Sequence, residues 1–318
     1  MAAAGGGPEI IDVHLHLCRD VNQERLVFPK DGWPDEWYWG NPDDVIPYMD
    51  ERGVSYVATQ NIMDTGRMTE ARLARVRAGG ASDEEVERVR LDLAEQMRER
   101  VRGFNDWACE THAEKPRIIP FVMIDPVLFG DAAVEELDRC IVNGAKGVKV
   151  HPSICRHMPD HPNMMAVYER LQEVELPILT DSTSRVTDGQ QYVMPFNWRP
   201  VLSRFPRLRF IMAHFCDQMW DDRLDLSREF TDNLWFDISG GLVDDHHPPA
   251  SHSCMPAVQA ARVFRKVGIE RIMFGSDGPG GGSGEDIRDM AAQVMALDLT
   301  DREKELILAD NARAFLRL

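Results

Sequence analysis

The chain has 318 residues, 43% of them hydrophobic and 28% charged, with a formal net charge of −17. That acidic balance argues against nucleic acid as a partner, because phosphate binding needs a basic surface. No apolar run approaches the roughly 18 residues of a membrane span, and six cysteines without a Cys-x-x-Cys pair fit reduced thiols and a cytoplasmic setting.

Residues 1–8 lack a basic segment and an apolar core, so they read as a disordered lead-in and not as a signal peptide. From residue 9 onward, apolar runs recur as predicted strands at 9–16, 54–62, 116–124, 145–152, 176–182, 208–215, 234–239 and 271–277. Helix patterns lie between most of them, at 41–53, 131–144, 163–175, 197–206, 256–268 and 283–297. Between the second and third strands, residues 64–114 have room for two helices. Their break falls at Gly79-Gly80-Ala81-Ser82, where Ser82 caps a helix opening with Asp83, Glu84 and Glu85. The mixed charges of this insertion describe a solvated face. A final helix opens with Thr300-Asp301.

Near-continuous apolar strands alternating with helices imply a parallel sheet covered on both faces. Eight such units at this length predict a single-domain (β/α)8 TIM barrel spanning 9–318. The doubly wound alternative lacks its Gly-x-Gly-x-x-Gly turn after the first strand.

Chemistry in such a barrel belongs at the C-terminal strand ends. On strand one, alternation sets His14 and His16 on one face, with Val13, Leu15 and Leu17 on the other. Asp12 has the parity of His14 but lies deeper, as a candidate supporting partner. Two imidazoles there either hydrogen-bond within a core or hold a metal. Strand four ends in Lys149 and His151, strand five in Asp181, strand six in His214 and strand eight in Asp277. Five strands ending in ligand or acid–base residue types are hard to explain as packing.

The pattern Asp12-x-His14-x-His16, with His214 and Gly275-Ser276-Asp277, resembles the metal-dependent amidohydrolase superfamily. Gly147-Val148-Lys149-Val150-His151-Pro152 and the ending 307–316 resemble its amidohydrolase-related branch, which includes small hydrolases, lactonases and decarboxylases of the aminocarboxymuconate-semialdehyde type. The resemblance implies that His14, His16 and Asp277 bind one divalent ion, zinc first and manganese second. It departs at strand five, where relatives carry a histidine ligand and this chain has Asp181. A carboxylate can replace an imidazole on either metal, so Asp181 is expected to ligate. Asp277 is the expected proton carrier, and His214 is expected to face the developing oxyanion. Lys149, which bridges two metals in some relatives, is read here as a core or substrate-facing cation, and His151 as a pocket residue.

Arg156 and Arg185 are candidates to grip a substrate carboxylate. Trp33, Trp37 and Trp39 follow strand one as a candidate wall for an aromatic substrate. The histidine-bearing loop 244–252 reads as pocket rim, and the glycine loop 278–284 as a loop without an anion. His112, His157 and His161 read as surface or helix-end residues. The expected activity is hydrolysis of an amide, ester or lactone in a small molecule by metal-activated water. The rival is non-oxidative decarboxylation of an aromatic or unsaturated acid. Some decarboxylase-type relatives carry Glu at the first strand-one histidine, so His14 favours hydrolysis. A third reading is a metal-free binding subunit. A homodimer is the default expectation, with no sequence feature specific to it.

Overall fold

The structure is a computed structural model that describes residues 7–20, 22–23, 40–243, 255–278 and 286–318. Eight parallel strands follow one another around a single sheet: β1 (Ile10–Leu15), β2 (Val54–Gln60), β3 (Ile118–Met123), β4 (Gly147–Val150), β5 (Ile178–Thr180), β6 (Phe210–Met212), β7 (Leu234–Asp237) and β8 (Ile272–Met273). The last strand returns to the first. Val13 donates to the Phe274 carbonyl at 3.0 Å, Asp277 to the His14 carbonyl at 2.7 Å, and His16 to the Gly278 carbonyl at 2.9 Å. The sheet is therefore a TIM barrel.

Helices cover its outer face. They include α1 (Pro42–Arg52), α2 (Thr65–Ala78), α3 (Asp83–Glu114), α4 (Ala133–Val142), α5 (Pro162–Glu173), α6 (Arg199–Arg204), α7 (Trp220–Glu229), α8 (Ala257–Val267) and α9 (Ile287–Ala296). The α2–α3 pair fills the stretch between β2 and β3. Ser82 and Glu85 there satisfy each other's backbone N–H groups in a capping box. A larger core layer packs Val57, Val122, Val148 and Phe236 of the strands against Val101, Leu137, Val167 and Phe264 of the helices.

A second layer fills the barrel itself, with Ile11, Val13, Ala58, Ile119, Phe121, Leu179, Ile211 and Met273. The C-terminal helical segment adds Ala309, Ala312 and Phe315 to it. The Phe315 ring lies 4.9 Å from that of Trp235, early in β7. One end of the barrel is thus plugged, leaving the other for chemistry.

Strand one departs from simple alternation. Asp12 pairs with Val57 and Leu15 with Thr59, so three steps on β1 match two on β2. That β-bulge flips the parity after Val13. Val13 therefore sits in the barrel interior, whereas Leu15 and Leu17 join the outer core, correcting the expectation that the three share a face. Helix α7 was also absent from the predicted pattern.

Candidate metal centre and active site

The C-terminal strand ends bring together His14, His16, Lys149, His151, Asp181, His214 and Asp277, all of them buried. Within this set, His14, His16 and Asp277 each offer one ligand atom within 4.8 Å of the others. His16 Nε2 lies 3.1 Å from Asp277 Oδ1 and His14 Nε2 lies 3.5 Å from it. Asp277 reaches this point from a left-handed residue, φ 59°, locked by its N–H bond to His14.

The opposite ring nitrogens are committed elsewhere. His14 Nδ1 lies 3.1 Å from Asp237 Oδ2 and 3.1 Å from Ser239 Oγ. His16 Nδ1 donates to the Gln60 carbonyl at 2.8 Å. Acceptors at Nδ1 fix the proton there and leave Nε2 as a lone pair. Two imidazole lone pairs and a carboxylate then converge on one spot, which is unfavourable without a cation between them. The donor set of two nitrogens and one oxygen fits a divalent transition metal.

The electrostatics agree. Burial lowers His16 below its ordinary value, favouring the neutral ligand form. Burial alone would raise Asp277, but the surrounding imidazoles of His16, His14 and His214 together hold it well below the ordinary carboxylate range. Asp237, against the same desolvation, is drawn down to about 2 by His14, His214 and Ser239.

Asp181 lies outside the group formed by His14, His16 and Asp277. Its Oδ2 is 3.2 Å from His151 Nε2 and its Oδ1 is 3.5 Å from His214 Nε2. The two groups adjoin, because His214 lies 5.1 Å from His14 by ring centroid and Lys149 Nζ lies 3.3 Å from His14 Nε2. Burial lowers both Lys149 and His151 from their ordinary values, His151 strongly. Arg185 is exposed, and its charge is among those that lower Lys149 and His151. Arg156 instead pairs with Asp188 at 2.6 Å and Glu70 at 3.7 Å. That network pins the loop after β4 to the hairpin after β5.

Trp33, Trp37 and Trp39 lie outside the described residues, as do the histidine loop 244–252, residues 279–284 of the glycine loop and most of the N-terminal lead-in. His161 does mark a helix end, accepting the Asn163 N–H, and His112 Nδ1 bonds the Ile118 carbonyl at 2.8 Å. His157 is not a surface residue: it is 3% exposed, turned inward by the loop that precedes α5.

Asp237 and Ser239 were missed by sequence reading. Asp237 Oδ1 accepts the His214 N–H at 3.1 Å, and Ser239 Oγ is 3.0 Å from His214 Nδ1. The pair therefore supports both His14 and His214. The one available signal was a polar Asp at the end of the seventh apolar run. Asp12 does not hold the His14 ring. It accepts the backbone N–H groups of His14 and Ser276, at 2.9 and 3.1 Å, and the Ser276 hydroxyl at 2.5 Å. Burial, offset by those bonds, still pushes its carboxyl up to about 7.

Solved structures share this architecture. A 2,6-dihydroxybenzoate decarboxylase complexed with 2,6-dihydroxybenzoate aligns with TM-score 0.66 at 15% identity, over 98% of this chain and 100% of the other. A probable 2-pyrone-4,6-dicarboxylic acid hydrolase from Acinetobacter baumannii aligns at 0.64 and 12%, over 98% and 100%. A 5-carboxyvanillate decarboxylase variant from Novosphingobium aromaticivorans, with bound manganese, aligns at 0.60 and 14%, over 99% and 99%. At these identities the likeness establishes the fold. No curated protein matches the chain in sequence. A family model described as amidohydrolase matches residues 11–318, and the chain belongs to that family.

Proposed function

We propose that the protein is a metal-dependent hydrolase acting on an amide, ester or lactone of a small carboxylate-bearing molecule. The observation that carries this reading is the convergence of His14 Nε2, His16 Nε2 and Asp277 Oδ1, with both Nδ1 atoms held from behind. These three residues would hold one divalent ion, zinc first and manganese second. Asp181, which has His214 and Lys149 as neighbours in common with that group, would be the fourth donor. When bound, the ion supplies Lewis acidity that polarises a substrate oxygen and acidifies water.

The chain's own residues do the rest. Asp277 takes a proton from the attacking water and returns it to the leaving nitrogen or oxygen. His214, kept in orientation by Ser239 and Asp237, donates toward the developing oxyanion. The exposed Arg185 and the buried Lys149 draw an anionic substrate inward. Non-oxidative decarboxylation is the second reading, favoured by the same two cations, which suit a carboxylate as the reacting group. The five described cysteines are buried, and the compartment proposed is the cytoplasm.

Purified enzyme supplemented with zinc or manganese would be assayed against lactones and aryl amides bearing a carboxylate, beside hydroxybenzoates. Hydrolysis lost in His214→Gln and Asp277→Asn supports the first reading. Carbon dioxide release without hydrolysis moves the assignment to the second. Inactivity in both arms with no ion bound returns the protein to a binding role.

A further inference from the structure

The residue following β6 begins an unusual turn. His214, Phe215, Cys216 and Asp217 all have positive φ, at 57°, 46°, 62° and 45°, and none is glycine. His214 and Phe215 sit in the left-handed helical region (ψ 21° and 36°), and Asp217 lies at ψ −130°, a combination native to glycine. Side chains with a Cβ disfavour this conformation, so something outside the turn must hold it.

Arg223 on α7 is placed to do so. It is fully buried, with Nε donating to the Phe215 carbonyl at 2.5 Å and Nη2 to the Asp217 carbonyl at 2.5 Å. Its guanidinium also lies over the Phe215 ring, 4.2 Å from the centroid. From the other side, the Ser182 hydroxyl donates to the Ala213 carbonyl at 2.6 Å and the Ser184 hydroxyl to Asp217 Oδ2 at 3.1 Å. A planar fork that bonds two carbonyls of one turn fixes their relative orientation, which a lysine's point charge cannot do.

We propose that Arg223 is a positioning residue for His214: its two carbonyl bonds hold the left-handed turn that aims the imidazole at Asp181 and Ser239. The importance of that aim rests on the role given to His214 above, but the clamp itself is a structural claim and is tested without substrate. Imidazole nitrogen shifts of 15N-histidine-labelled protein give the readout, with His214→Gln identifying the His214 signals. Arg223→Met is expected to move those signals while leaving His157 and His112 unchanged. Asp217→Gly in the same chain, by removing the Cβ penalty, is expected to return them toward their original positions. Arg223→Lys should fall between. If Arg223→Met does not fold, Arg223→Lys with and without Asp217→Gly carries the same comparison. Unmoved His214 signals in a folded Arg223 variant, or no recovery with Asp217→Gly, overturn the clamp. A clamp that passes, with a His214→Gln enzyme that still turns over substrate, overturns only the role of His214.

Discussion

Asp237 supports two imidazole-bearing residues of the candidate site, since it faces His14 Nδ1 through one oxygen and the His214 N–H through the other. Replacing it with Asn sets an amide against His14 Nδ1 and weakens control of the tautomer that leaves Nε2 free. Asp237→Asn is therefore expected to lower divalent-ion affinity by about 10- to 100-fold, read by competition with a chromogenic chelator. Undiminished affinity would mean that the His14 ring is oriented by something else. His157 makes a pH prediction away from the site. Burial pulls it down to about 4 from its ordinary 6.5, so between those values the unfolded chain binds the extra proton. Its contribution is complete above 6.5 and drains away as pH falls toward 4, amounting to about 3 kcal/mol at most. In His157→Gln, unfolding free energy should fall less steeply from pH 7 to pH 4.5 than in the wild type. Parallel curves would show that His157 is not buried neutral.

At the scale of elements, the close approach of β3 and β4 is set by Gly147, opposite Phe121 in the register. A Cβ there would meet the Phe121 ring at 2.5–2.6 Å, and the ring has no room to withdraw in a filled barrel. Gly147→Ala is expected to destabilise by about 1–3 kcal/mol, measured by denaturant unfolding, whereas an unchanged midpoint would mean that the barrel layer yields easily. Elements were the level at which the sequence was most legible, and its failures have physical causes. Eight strands could be seen because each is buried on both faces and so reads as an apolar run. The bulge in β1 could not, because it arises from register with β2, which local alternation does not contain. Helix α7 escaped notice because Arg223 occupies a fully buried position where the pattern calls for an apolar side chain, and Leu224 and Leu226 are too few to set a period. The left-handed turn before it was hidden as well, since no glycine marks it.

For the whole molecule, an ion that binds only the folded barrel stabilises it by mass action, about 2.7 kcal/mol at a hundredfold excess over Kd. Chelation should then lower Tm by several degrees, and added zinc or manganese should restore it. In His16→Ala neither treatment should have an effect. Among the described residues, no helix is long and apolar enough to cross a membrane. The positions that converge at the barrel mouth were individually visible as polar ends of apolar runs. Their division into one group around Asp277 and another around Asp181 was not, because side-chain pairing across a barrel is decided by strand tilt and stagger, which no single strand encodes.

The central claim is that His14, His16 and Asp277 hold a divalent ion, and elemental analysis of purified protein beside Asp277→Asn tests it most directly. Close to one zinc or manganese per wild-type chain is expected, with most of it lost from the variant. A wild type that takes up no ion after reconstitution, or a variant that keeps its full complement, would contradict it.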